Sequence, residues 1–587
     1  MNSVYLLPAK ENIALDSNLP KLSNLSLDTK LHRSTSLKYS PDTPLKARTN
    51  NAVLSSQNVQ PSRKPQLKFS YITRPNQKGY SSESSPSSKK SKDTASRNSS
   101  VNDIFQKSGT ENRLSVVPSR ASISIGRRSK VKNVKELIFK LRENSSTGSK
   151  FEMCLHTSSS FTNEEDRKNF YPFEDLSSKR PDLFQRLTMY ERIMQYPQIF
   201  FTGLPKHLKI KSDLKNPKCN YGFDDKRGNY IILLGDHIRY KYEINSILGN
   251  GAFGSVVSVL DHSSKSKKNF ACKIIKNDPR WSLQAVEEIK ILKRLHHPNI
   301  VTYVEHFTFR THMCIVTEIL GITLYESIQI NSYTGFSLNL VRKFTKEILQ
   351  GIAYLHSKNI IHCDLKPENI MISGDGIIKI IDFGSSCHTD HLTYSYLQSR
   401  FYRAPEVLLG GRYDTKMDIW SIALISLELF AGVPIFQPQS EWELFSLCVK
   451  FLNIPSRKYI LKLREEIEIL GFVGAENCNQ QDACSNTILW KAFNSNGIMN
   501  IEYVTRKALH ITKGHTKQLN PGHGSIKNFL RKHAYYGNTA ATGGESEAEI
   551  NRFLVYIEMC LLWNKWGRAT AEECLQLEFF TCAEEAN

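Results

Sequence analysis

The sequence of 587 residues predicts an α+β fold in two lobes, β-rich first and helical second, set behind a long polar arm. Three observations predict it. From Tyr242 to about Phe580, strand-like runs come first (YEINSILG, SVVSVL, NFACKIIKN) and helical patterns follow, the order of a layered α+β domain. Apolar residues make up 40% of the chain, enough for a sizeable core. The first 165 residues are rich in Ser, Asn, Pro and Lys, as in YSSESSPSSKKSKDTASRNSS, and keep neither a helical nor a strand period.

That arm, residues 1–165, buries too little apolar surface to offset the entropy of ordering it, and is read as disordered. It also explains the net charge of +21. Residues 1–150 hold about 27 Lys and Arg against about 10 Asp and Glu, so most of the excess sits in the arm and the rest is close to balanced. The charge is therefore no argument for nucleic-acid binding. The cluster GRRSKVKNVK reads either as a nuclear-import signal or as a solvated basic tail. MNSVYLLPAKEN turns polar too early for an export signal, and the apolar runs fall short of a membrane span. The twelve cysteines are scattered without a C-x-x-C pair, which argues against a zinc site or disulfide framework and for a reducing cytosol or nucleus.

Residues 166–241 form an accessory region. LFQRLTMYERIMQYPQIFFTGL has helical periodicity followed by aromatics, and a turn at Lys226–Gly228 leads into the strand-like NYIILLGDHI. The main domain spans 242–580, with 455–550 as an insert whose function is not legible, and 581–587 as a tail. No internal repeat is visible.

Within the domain, LGNGAFGSVVSV supplies Gly249, Gly251 and Gly254, with Val256 after them. Such glycines let backbone fold tightly over phosphates, and Val256 can pack on a base. A lone G-x-G-x-x-G also marks dinucleotide folds, but there it joins a strand to a helix, and here it joins two strand-like runs. The next strand places Lys273 in an apolar setting where an unpaired charge is costly. The helix WSLQAVEEIKILKRL offers Glu288, on one face with Leu292 and Leu295, and Glu287 as the alternative. Then come His362-Cys363-Asp364-Leu365-Lys366-Pro367-Glu368-Asn369, Asp382-Phe383-Gly384 and Ala404-Pro405-Glu406. Phosphoryl transfer needs a base or orienter, metal ligands and positive charge. Asp364 suits the first role, Asn369 and Asp382 the second, Lys273 and Lys366 the third.

Five motifs in this order resemble the protein kinase superfamily, with its bilobal fold, ATP as substrate and magnesium as cofactor. IIHCDLKPENI, IDFGSSC and TYSYLQSRFYRAPEVLLG resemble the dual-specificity tyrosine-regulated kinases in particular. FSLNLVRKF, HFTFRTHMC, an Asp236-His237 "DH box" and an accessory segment RLTMYERIMQYPQIFFTG extend the resemblance over roughly residues 183–580. A homeodomain-interacting kinase would share Cys363, and a kinase-fold scaffold without catalysis remains the reading from another class. The resemblance implies a protein substrate phosphorylated on Ser or Thr beside proline, with Glu326 and Glu368 receiving an upstream arginine. It places Thr317 at the gatekeeper position before Glu318 and Leu320 of the adenine-binding hinge. It makes Tyr396, second of a Y-x-Y pair with Tyr394, an autophosphorylation site whose phosphate Arg400 and Arg403 would hold, since Cys363 replaces the usual arginine. Asp418 would brace the catalytic loop, and Arg568 would pair with Glu406. Ala423 replaces a usual glycine, and Asn564-Lys565 a usual Asp-Pro. Cys363 and Cys387 should approach each other, either as a regulatory disulfide or as two buried thiols.

Overall fold

The computed structural model describes residues 130–144, 170–194, 196–201, 204–263, 268–392, 397–471, 473, 486–509, 519–535 and 545–582. All of them belong to one compact unit, Ala95–Asn587. Its first element corrects the arm reading. Helix α1 (Val134–Glu143) lies within 1–165, begun by Asn133, whose side chain accepts from Glu136 N–H at 2.9 Å. Glu136 in turn accepts from Lys132 N–H at 2.9 Å, one residue before the cap, and holds the entering chain. Leu137 and Leu141, four residues apart, are buried in the main core. The basic composition around them hides this short apolar stripe.

The accessory region pairs β1 (Phe170–Pro172) antiparallel with β2 (Gln198–Phe200), with α2 (Phe173–Lys179), α3 (Pro181–Arg186) and α4 (Met189–Met194) between them. Leu176, Leu183, Leu187 and Ile199 pack with Tyr240, Tyr242, Val257, Val259 and Val316 of the adjoining sheet, so the region shares that sheet's core. Buried polar contacts fix the join. Glu191 is fully buried, 2.8 Å from His237 Nε2, and accepts from Lys209 Nζ at 2.9 Å and from Thr188 N–H at 2.7 Å. Burial raises the Glu191 carboxyl, but the contacts with His237 and Lys209 outweigh it and hold it well below the usual range. The Arg310 guanidinium lies 4.3 Å from the Phe223 ring and 4.7 Å from that of Phe309, and donates to Tyr230 Oη at 2.7 Å. The run NYIILLGDHI is mostly loop, contrary to its strand-like sequence. Gly235, at φ +78°, turns the chain, and strand pairing is left to β3 (His237–Ile238).

The β-rich lobe continues with β4 (Tyr242–Gly251), β5 (Gly254–Asp261), β6 (Asn269–Ile275), helix α5 (Pro279–Leu292), β7 (Tyr303–Phe309) and β8 (His312–Glu318). Its six strands run in the order β3-β4-β5-β6-β8-β7, with antiparallel neighbours. Gly254 sits at φ +137°, where a Cβ would meet Ile274 O at 2.1 Å, so only glycine closes this hairpin. Asp278 caps α5, with Pro279 in its first turn.

The helical lobe begins with β9 (Ile322–Thr323), α6 (Leu324–Ile330) and α7 (Leu338–Ser357). The pair β10 (Ile360–Ile361) and β13 (Cys387–His388) brackets the hairpin β11 (Ile370–Ile372)–β12 (Ile378–Ile380). Helix α8 (Pro405–Leu409) is followed by α9 (Lys416–Ala431), whose residues Met417–Ala431 are all buried, Ala423 among them. Helices α10 (Glu441–Leu452) and α11 (Arg457–Leu470) follow, and α11 opens the insert. The tract 536–544 lies outside the described residues. Lys565, at the substituted Asn564-Lys565 pair, is buried and bonds Glu466 of α11 at 2.8 and 2.9 Å and Arg412 O at 2.8 Å. The expected Arg568–Glu406 pair forms with contacts of 2.8 and 2.9 Å, both side chains fully buried.

Candidate active site

The cleft is framed by β4–β6 and α5 on one side and by the loops around β10–β13 on the other. Lys273 of β6 donates to both Glu288 oxygens at 2.9 Å and to Asp382 at 3.0 Å. Glu287 instead pairs with Lys290 on the exposed side of α5, so the sequence alternative resolves to Glu288. Burial acts to lower the Lys273 ammonium, but Asp382 and Glu288 together outweigh it and raise it above its ordinary value. Burial raises the Glu288 carboxyl, with Lys273 pulling the other way. Asp382 is also pushed up by burial, yet the charge and hydrogen bond of Lys273 bring it down to about 2, which keeps it ionised. Gln284 of α5 donates to Gly384 O at 2.6 Å and ties the helix to the Asp-Phe-Gly turn, while Phe383 is buried with its ring edge-on to His362 at 5.3 Å.

Asp364 is held from four directions. One carboxylate oxygen accepts from Ser399 N–H at 3.0 Å and Ser399 Oγ at 2.9 Å; the other accepts from Lys366 at 2.6 Å and Asn369 at 3.2 Å. Burial acts to lower the Lys366 ammonium, but Asp364, Glu368 and Asp382 together outweigh it and raise it above its ordinary value. Asp418 of α9 accepts from His362 N–H at 2.8 Å and Cys363 N–H at 3.1 Å, so the expected brace is present. Cys363 occupies a left-handed backbone position, φ +67°, that this double bond secures. Its Sγ lies 3.6 Å from that of Cys387; both are free, buried thiols, and burial pushes the Cys363 thiol well up.

Gly249, Gly251 and Gly254 lie on β4–β5, where Gly249 pairs with Val256, and Val256 pairs with Lys273 across to β6. The Phe253 ring lies with its centroid 4.6 Å from Lys273 Nζ, a cation–π contact in the same cleft. Thr317 pairs with Ala271 on β6, and its hydroxyl donates to Glu318 O at 3.3 Å. The Glu318 carboxylate faces away, accepting from Lys379 Nζ at 2.8 Å and Thr302 N–H at 2.7 Å, and Leu320 is buried beside it. Glu326 closes a capping box with Thr323 at the start of α6, which packs against the Pro367–Asn369 turn bearing Glu368.

Tyr394 and Tyr396 lie outside the described residues. Arg400 donates to Gln439 O at 2.9 Å. Arg403 is buried and engaged, with Leu397 O at 2.9 Å, Gln398 O at 2.9 Å and Glu441 at 2.8 Å. Ser399 and Phe253 were not singled out from the sequence. Ser399's only local signal is its place just before Arg400 in SYLQSRFYR, and Phe253's is its place between two loop glycines.

The donor set fits a hard divalent cation. The Asn369 amide nitrogen donates to Asp364 O at 2.9 Å, which orients its oxygen as the remaining donor, and ionised Asp382 supplies carboxylate.

Residues 242–580 match the family model "Protein kinase domain". The chain belongs to the protein kinase family. Relatives narrow the kinase further. It is 44% identical over 284 residues to dual specificity tyrosine-phosphorylation-regulated kinase 3 of Mus musculus, covering 47% of this chain and 48% of the relative. It is 41% identical over 286 residues to the DYRK-family kinase pom1 of Schizosaccharomyces pombe, covering 47% and 26%. It is 33% identical over 401 residues to dual specificity tyrosine-phosphorylation-regulated kinase 2 of Drosophila melanogaster, covering 66% and 48%. The chain thus spans about half the length of dual-specificity relatives such as the mouse and fly kinases. The relatives carry the names of the dual-specificity tyrosine-regulated kinases, the family that residues 360–410 resemble.

Proposed function

We propose that this chain transfers the terminal phosphoryl group of ATP, with magnesium, to Ser and Thr hydroxyls of proteins and to its own Tyr396. The observation that carries the reading is the four-way hold on Asp364 beside the Lys273–Glu288–Asp382 cluster. Asp364 accepts or orients the substrate hydroxyl proton, and Lys366 offsets charge on the moving phosphoryl. Asn369 and Asp382 hold the metal, which when bound neutralises phosphate charge. Lys273, kept in place by Glu288, clamps the phosphates under Gly249, Gly251 and Gly254. Val256, Thr317, Glu318 and Leu320 line the adenine side. Ser399 bridges Asp364 and Lys366 and so sets the register of a substrate chain passing over them.

Preference for proline after the target residue follows from Arg403. Gln398 takes a left-handed backbone, φ +63°, and its carbonyl accepts from Arg403. A substrate amide N–H at that place finds its acceptor already used, and proline has no N–H to leave unpaired. Glu326 and Glu368 receive an upstream arginine. In a peptide array, alanine for the following proline lowers phosphorylation at least about fivefold, and alanine for the upstream arginine lowers it similarly; no loss at either position removes that half of the reading.

A phosphate on Tyr396, two residues before Gln398, would compete with Glu441 for Arg403 and draw in Arg400. Protein made in bacteria should carry phosphate on Tyr396, and an Asp364→Asn chain should not. Tyr396 unmodified in fully active enzyme would refute the autophosphorylation.

Thr317 leaves the back of the adenine site more open than a phenylalanine would. An inhibitor with a bulky aryl group reaching behind the hinge should lose at least about tenfold in affinity on Thr317→Phe. Equal affinity by calorimetry counts against an open pocket.

A further inference from the structure

Residues 130–143 meet the helical lobe as a peptide meets a groove. Lys130 Nζ donates to Phe430 O at 2.7 Å and lies 3.4 Å from the Phe430 ring centroid. Val131 makes a parallel bridge with Phe336, and its carbonyl accepts from Ser337 N–H at 3.0 Å. Helix α1 then turns Leu137 and Leu141 inward, at 1% and 0% exposure, and leaves Phe139 62% exposed on the far side. The groove is walled by α6 and by the turn at Gly376, where a Cβ would sit 2.3 Å from Val134 Cγ1.

Two recognition modes meet here, a short β-addition and an amphipathic helix laid in a groove. Helix α1 carries its own start signal in Asn133, so the cap and the apolar stripe both lie within the segment itself. Specificity rests on one cation, on the buried Val131, Leu137 and Leu141, and on the half-buried Val134 and Ile138, with main-chain hydrogen bonds beside them. None of these contacts requires a covalent link between segment and lobe.

We propose that this groove is a docking site for protein segments of that chemistry, and that the chain's own residues 130–143 fill it in cis as a competitor. The partner segment carries lysine followed by a β-branched aliphatic, then a capped helix with two leucines four residues apart. The tethered segment acts at an effective concentration on the order of millimolar, so a partner gains access when the cis segment is weakened or the partner is held nearby.

The test uses the full chain and a fluorescent synthetic peptide of residues 128–145. The unaltered chain should show no saturable binding up to roughly 50 μM. The chain with Leu137→Glu and Leu141→Glu should bind the peptide with a Kd in the range of roughly 1–50 μM. The same two changes in the peptide should abolish binding. A peptide keeping only Lys130, Val131, Asn133, Val134, Glu136, Leu137, Ile138 and Leu141, with Ala or Gln elsewhere, should bind within about tenfold of the native one. In hydrogen exchange of the unaltered chain, α1 amides should open at least about a hundredfold more often than those of α7. A double variant that folds but binds no peptide overturns the proposal, as does one that fails to fold, or α1 protection equal to that of α7. Binding of the native peptide without the reduced one confines the groove to its own segment and overturns the claim to partners.

Discussion

Asp382→Asn lowers phosphate transfer at least about a thousandfold and leaves the fold in place. The side chains are nearly the same size, and the asparagine oxygen can still accept from Lys273, which keeps its second partner in Glu288. What is lost is the carboxylate's negative charge, its pKa brought down to about 2 beside Lys273, which in the proposed reading holds the metal. Because the folded value is depressed, ionised Asp382 contributes stability above its ordinary carboxylate value of about 4, and that contribution fades as pH falls toward about 2. Between pH 5 and 9 its charge is constant, so any slope in the pH–rate profile there comes from another group. Steady-state kinetics beside a thermal melt checks both halves. Near-normal turnover in a folded variant would show that Asp382 does not hold the metal.

Arg568→Ala costs about 3–5 kcal/mol of stability, since it strands Glu406 in a fully buried site. The guanidinium also donates to Lys416 O and Leu562 O, and those carbonyls lose their partner together with the carboxylate. Replacing both members, Glu406→Leu with Arg568→Met, should recover more than half of the loss, because no lone charge then stays behind. Chemical denaturation of the three chains measures this. A single variant as stable as the parent would mean that water reaches Glu406.

The cleft chemistry was legible because each role in phosphoryl transfer demands a particular residue type at nearly fixed spacing. Lys273, Glu288, Asp364, Asn369 and Asp382 could be singled out from the chain alone, and the fold brings them into one cleft. What escaped depended on partners far away in sequence. Ser399 matters through its hydrogen bonds to Asp364, 35 residues earlier. Arg403 looked like a cation waiting for phosphate, but two neighbouring carbonyls and Glu441 already use it. The strand-like NYIILLGDHI became loop because one glycine turned it. Helix α1 was concealed for a compositional reason: ten residues with a clean apolar stripe are diluted by the polar arm around them.

Lys565 ties α11 to the loop that carries Arg568, through an ammonium with almost no access to water. The insert is therefore not a detachable module grafted onto a finished domain. Excising α11 to make a minimal catalytic unit would strand that ammonium three residues from the Arg568–Glu406 pair, with Asp414 at 4.0 Å as its nearest remaining carboxylate. A shortened chain would need an apolar residue at 565 as well, so that in this kinase the deletion and the substitution must be made together.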